Sequence, residues 1–159
     1  MYTPSDPQEQ QLHSDARRDV FPDDVRADHS RYESATLLWT GVITEVGGPG
    51  NAVIAFEHHY WDFVEDYSVQ KEIAFLSPRG EGKFRTIVEP GGTSVTVGDM
   101  AIAYVVPLSV DADGTVVVRL RGLRMLRREL YATDIMDYGR GYLLKHDMSD
   151  FKSLRVPGL

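Results

Sequence analysis

The chain has 159 residues, with 17 basic and 24 acidic side chains, 42% hydrophobic residues and no cysteine. That length supports one domain with its own core, and the missing thiols exclude a disulfide scaffold, Cys-ligated zinc, an iron–sulfur cluster and a cysteine nucleophile. A formal net charge of −7 argues against a surface that attracts nucleic acid over its whole extent, since that affinity comes from neutralising phosphates; no apolar run approaches the roughly 20 residues of a membrane helix.

Residues 1–34 are polar, and their few apolar side chains (Leu12, Val20, Phe21, Val25, Tyr32) follow neither a helical nor a strand period. They read as a flexible polar lead-in without the apolar stretch and cleavage site of a secretory leader. Phe21-Pro22-Asp23-Asp24-Val25-Arg26 offers an alternative for that part of it, because Pro followed by Asp suits the first turn of a helix that docks on the body.

From Ala35 the chain becomes β-branched and aromatic, predicting a first strand to Val46 that ends in the Gly47-Gly48-Pro49-Gly50-Asn51 turn. Alternation puts Leu37, Trp39, Gly41 and Ile43 on one face and Leu38, Thr40, Val42, Thr44 and Val46 on the other. Both faces are therefore covered, as in a strongly curved sheet with Gly41 at a bend. A second strand is predicted over Asn51–Trp61, a third over Tyr67–Leu76, and a fourth over Lys83–Val88 after the Ser77–Gly82 turn. Met100–Val106 and Thr115–Arg121 form a hairpin across Asp111-Ala112-Asp113-Gly114. Beyond Leu123 the pattern fits either a helix (Leu123, Leu126, Leu130) or a longer strand. The expected architecture is all-β: a small antiparallel OB-like barrel of five to six strands over residues 35–131. An extended N-terminal segment precedes it, and an irregular C-terminal tail, 132–159, packs on the barrel or on a partner.

The run Leu38-Trp39-Thr40-Gly41-Val42-Ile43, two long following strands, and Val97-Gly98-Asp99 ahead of an apolar strand and a return ending near Tyr131 resemble the Slp-type outer-membrane lipoproteins over residues 35–131. In that family a tryptophan-glycine-valine-isoleucine segment opens an OB-like barrel. The resemblance implies an envelope protein without known catalysis, reaching a membrane only through a lipid anchor removed from this chain. The sequence departs from the family at His58-His59-Tyr60-Trp61, in the tail after Tyr131 and in lacking a lipid-bearing cysteine, and no functional residue carries over.

Three groups of side chains bear on chemistry. Glu57 to Asp66 is the densest, and His58, His59 and Asp62 are its candidate metal ligands. On a strand His58 and Asp62 lie about 13 Å apart, so only a local turn, with His29 or His146 added, completes a site. The competing reading is a plain strand with His59, Trp61 and Phe63 inward and His58, Tyr60 and Asp62 outward. Arg79-Gly80-Glu81-Gly82-Lys83-Phe84 lacks the first glycine and the Ser/Thr of a phosphate loop. It reads as a hairpin turn in which Arg79, Lys83 and Arg85 are available to an anion. Residues 119–128 carry five arginines, Arg119, Arg121, Arg124, Arg127 and Arg128, and no acid. They serve either to offset nearby carboxylates or to line a groove for a single strand. Asp111–Gly114 lacks the remaining ligands of a calcium loop.

No nucleophile elbow, dinucleotide fingerprint or paired catalytic motif is present, and no cofactor is expected. The function expected is a non-catalytic, envelope-associated binding or structural module with a protein or glycan partner. Tyr60, Trp61, Arg79, Lys83, Arg119 and Arg121 are its ligand-binding candidates. The alternatives are an OB-type binder of single-stranded nucleic acid, which the net charge disfavours, and a metal-dependent enzyme built on His58, His59 and Asp62.

Overall fold

The computed structural model describes residues 2–66, 71–88, 95–126, 130–131, 141–144 and 151–153. Two helices come first: α1 (Pro7–Asp15) and α2 (Pro22–Ala27), followed by a 3-10 turn at His29–Tyr32. The strands are β1 (Leu37–Gly47), β2 (Val53–His58), β3 (Trp61–Asp66), β4 (Lys71–Leu76), β5 (Lys83–Ile87), β6 (Met100–Val110), β7 (Val116–Leu126), β8 (Leu130–Tyr131), β9 (Gly141–Leu144) and β10 (Phe151–Ser153).

Strands β1, β2, β5, β7 and β6 close into a five-stranded OB-like barrel, with β6 pairing back onto β1. The sequence predicts an antiparallel barrel, but this one is mixed, because β5 and β7 run parallel. Parity requires this: a closed ring with an odd number of strands cannot alternate direction at every contact. Inside, Phe56 and Phe84 stack at 4.7 Å and Trp39 meets Phe84 edge-on at 5.0 Å. Val105, Val116, Val118, Leu120 and Leu123 pack in the same core, with Leu37, Ile43 and Ile54.

The second strand is shorter than predicted. It ends at His58, and the chain leaves the barrel at His59 and Tyr60 to begin β3, which belongs to a separate four-stranded sheet in the order β3-β4-β9-β8. The Thr40 carbonyl accepts from the His59 amide at 3.1 Å and the Thr40 hydroxyl donates to the His59 carbonyl, so β1 holds the chain where it turns away. Residues 67–70, the start of the predicted third strand, lie outside the described residues.

Residues 2–34 are not a loose lead-in. Asp6 caps α1 by accepting from the amides of Gln8 and Glu9, at 2.8 and 3.2 Å, and Pro7 opens the helix. Asp24 accepts from the Phe21 amide at 2.9 Å and starts α2, the docking helix that Pro22-Asp23 suggested. Two short helices with a break between them bury two residues each, Glu9 and Leu12 in α1 and Pro22 and Val25 in α2, which is why no single period runs through the segment. Val20, Val25 and Tyr32 enter the barrel core. Tyr2, Leu12 and Ala16 join a second core on the barrel's outer surface, with Met100, Ile102, Tyr104, Leu126 and Phe151.

A β-bulge supplies the arginine on this outer surface that meets α1. In the β6–β7 ladder Val105 pairs with Leu120 but Tyr104 pairs with Gly122, leaving Arg121 as an extra residue. Because side chains alternate with period two, the inserted residue changes which positions face inward. Val118 and Leu120 point into the barrel before it and Leu123 after it, which puts Arg124 outside, against α1. There Arg124 (2% exposed) meets Glu9 (0% exposed), with Nε to Oε1 at 2.7 Å and Nη2 to the same oxygen at 2.6 Å. Tyr104 donates to Glu9 Oε2 at 2.7 Å and Tyr2 donates to the same carboxylate.

The strand reading of residues 122–126 therefore holds, and 127–129 lie outside the described residues. Of the tail, β10 pairs with β7 opposite Gly122–Arg124 and buries Phe151. A Cβ at Gly122 would lie 2.8 Å from both Leu12 Cδ1 and Phe151 Cζ. Gly122→Val is expected to cost about 1–3 kcal/mol by overpacking this contact, measured as a lower urea midpoint; an unchanged midpoint contradicts the close packing of α1 and β10 on β7.

Candidate ligand-binding groove

Where the chain leaves the barrel, the loop after β4 folds back along it. The Ser77 amide donates to the Tyr60 carbonyl at 2.8 Å, the Tyr60 amide to the Arg79 carbonyl at 2.9 Å and the His58 amide to the Gly82 carbonyl at 2.9 Å. This contact requires glycine at position 80, where a Cβ would fall 1.6 Å from the His58 carbonyl oxygen. The start of α2 closes the arrangement: the Asp23 amide donates to the Glu81 carbonyl at 2.9 Å. Phe21 packs its ring 5.2 Å from His58 and 5.4 Å from Tyr60.

The result is an open groove of about 680 Å³ whose walls include Glu57, His58, Tyr60, Pro78, Arg79 and Lys83. His58, 2% exposed, accepts from the Glu81 amide at Nδ1, 2.9 Å away, so its proton sits on Nε2. Burial, with a smaller contribution from neighbouring His59, lowers its pKa to about 4. The Tyr60 hydroxyl donates to the Glu81 carboxylate, and chiefly for that reason its pKa is pushed up to about 12. At neutral pH the groove thus offers a neutral imidazole, a neutral phenol ring and two exposed cations, Arg79 and Lys83. Among the described residues neither cation has an ion-pair partner.

Of the residues singled out in the sequence, the structure brings together Tyr60, Arg79, Lys83 and His58. His59 is turned away, with Nδ1 on the Ser77 carbonyl at 3.0 Å and Nε2 on Glu57 at 3.2 Å. Asp62 is exposed on β3. Among the described residues no three His, Asp or Glu side chains come together to hold a metal, so a His58–His59–Asp62 centre is not formed. The plain-strand alternative is corrected at His58, which is buried rather than outward, and in its continuity, since the strand breaks after His58; Tyr60 and Asp62 are exposed and Trp61 and Phe63 pack inward as it expected. Trp61 packs against the second core rather than lining the groove.

The arginine run is divided by the bulge. Arg119 is half-buried on β7. Arg121 donates to the Thr36 hydroxyl at 2.7 Å, Arg124 is buried on Glu9, and Arg127 and Arg128 lie outside the described residues, as does His146. Arg85 pairs with Asp111 at 2.6 Å. Phe21, Pro78 and Glu81 were missed as parts of the site. Only the Phe21-Pro22-Asp23 helix start and the two glycines of 79–83 hinted at them. No family model, curated protein or solved structure matches the chain.

A histidine buried in its neutral form makes stability depend on pH. The unfolded state takes up the proton near the ordinary value of 6.5 and the folded state only near 4. The stability from a neutral His58 is therefore complete above pH 6.5 and lost as pH falls toward 4. Between pH 7 and pH 5 the wild-type chain is expected to lose about 2 kcal/mol more than His58→Gln. Urea unfolding at the two pH values measures this, and equal losses in both proteins contradict it.

Proposed function

We propose that this chain is a non-catalytic binding module that takes an anionic oligosaccharide in the groove at the barrel end. The observation that carries this reading is the presence of two cations, Arg79 and Lys83, without an ion-pair partner among the described residues, beside the exposed Tyr60 ring in one open groove on an acidic protein. A flat ring face and fixed cations suit a ligand that alternates planar or apolar faces with negative groups. OB barrels use this general architecture for oligosaccharides and oligonucleotides. Glu57 at the groove wall supplies an acceptor for sugar hydroxyls. An envelope location rests on the likeness to the Slp-type lipoproteins and forms part of the same proposal.

A second reading, single-stranded nucleic acid, draws on Arg119. It sits on β7, which pairs with β5, the strand that begins at Lys83, so the cations extend from the groove along the barrel. Stacking on Tyr60 and phosphate contacts would then supply the affinity, with a steep salt dependence.

Titration of the full chain with a sulfated hexasaccharide and with a thymidine oligonucleotide at low salt separates the two. The saccharide is expected to bind the more tightly. The double variant Arg79→Ala/Lys83→Ala should weaken it at least tenfold and Tyr60→Ala at least about fivefold, as for loss of one stacked contact of about 1–3 kcal/mol. Preference for the oligonucleotide, with a further loss in Arg119→Ala, selects the second reading. Absence of binding to either ligand overturns both.

A further inference from the structure

The second core is not completely filled. Tyr2, His13, Leu38, Phe63 and Ile102 surround a half-enclosed cavity of about 80 Å³ between α1, β1, β3 and β6, with Arg18 at its mouth. The cavity shares no lining residue with the groove. A void of this kind in a packed core is destabilising when empty, because its walls lose contacts on one side. Its volume is about half that of the roughly 150 Å³ cavity that accommodates a benzene ring. A branched alkyl end of about three carbons, an isopropyl group entering from the open side, matches that space.

The charge at the mouth decides what else the ligand carries. Arg18 is an exposed member of the lining and donates through Nη2 to the carbonyl of His13, another lining residue, at 3.0 Å. Among the described residues it has no ion-pair partner. Asp19 is engaged by Arg17 at 3.1 Å, Glu9 by Arg124, Tyr2 and Tyr104, and Asp15 accepts from Gln11 at 3.3 Å. His13 adds no opposing charge. The Tyr104 hydroxyl gives its one proton to Glu9, so its 3.3 Å contact with His13 needs Nδ1–H as donor. Burial and the Arg18 charge keep that imidazole neutral. The mouth is therefore cationic and the interior apolar.

We propose that this cavity is a binding site for a short branched aliphatic carboxylate, with the alkyl tail between Leu38, Phe63 and Ile102 and the carboxylate on Arg18. The test uses methyl-labelled full-length protein titrated with 4-methylpentanoate and, separately, with 4-methylpentan-1-ol, read by NMR at the Leu38 and Ile102 methyls. The carboxylate should give saturable shifts at both residues and bind about fivefold more tightly than the alcohol, the gain expected from one exposed ion pair. Arg18→Gln, a change at an exposed side chain, should remove that difference. Leu38→Phe, which fills the cavity, should block both ligands. Absence of saturable shifts at these methyls in the wild-type protein overturns the proposal. So does equal binding of acid and alcohol, or an Arg18→Gln protein that still prefers the acid.

Discussion

Glu9 and Arg124, both shielded from solvent, hold the N-terminal segment onto the barrel, and the rest of the molecule is arranged around that contact. Neither charge is left without compensation: the guanidinium lies on one carboxylate oxygen, and the hydroxyls of Tyr2 and Tyr104 donate to the same group. Such a pair adds little stability compared with well-packed apolar residues of the same size, yet removing one partner strands the other in a dry core. Its effect is therefore on specificity. It selects one docking position for α1, over Tyr104 and Gly122, out of many that a short helix with a single buried leucine would otherwise accept.

That position carries consequences along the chain to the groove. Once α1 is seated, Arg17 bridges to Leu37 at the start of β1, and the Val20 carbonyl accepts from the Trp39 indole at 2.7 Å. The following residues then lay Phe21 on His58 and place the Asp23 amide on Glu81. The groove is in this sense built by three separate parts of the sequence. The N-terminal segment covers its back, the exit from β2 supplies His58 and Tyr60, and the loop before β5 supplies Arg79 and Lys83. The detour through β3 and β4 creates the site, because it forces the chain to leave the barrel beside Thr40 and return at Lys83.

Much of the barrel was legible in the sequence, since the alternation in β1, the Asp-Gly hairpin and the turn at 77–82 are local signals. Leu37, Trp39 and Ile43 face the core, while Leu38 and Val42 pack outside it, as their spacing predicts. Three features were not legible, for physical reasons. The parallel pair follows from closing an odd number of strands, a property of the whole ring. The bulge at Arg121 is one extra residue with no mark of its own, and it moves Arg124 from the barrel's inner face to its outer face, where α1 covers it. The helices at 7–15 and 22–27 are held by tertiary partners rather than by an amphipathic period. For the site, the cations and Tyr60 could be nominated from residue type, whereas the separation of His58 from His59 and Asp62 depends on where β2 ends.

The measurement that bears most directly on this account is a double-mutant cycle on Glu9→Leu and Arg124→Met, read by urea unfolding of the full chain. Each single substitution is expected to cost about 3–5 kcal/mol because it leaves a buried charge alone. The double variant should be little worse than either, giving a coupling energy of at least about 2 kcal/mol. Additive, small losses from the two single variants would contradict the account, since the N-terminal segment would then be held without this pair.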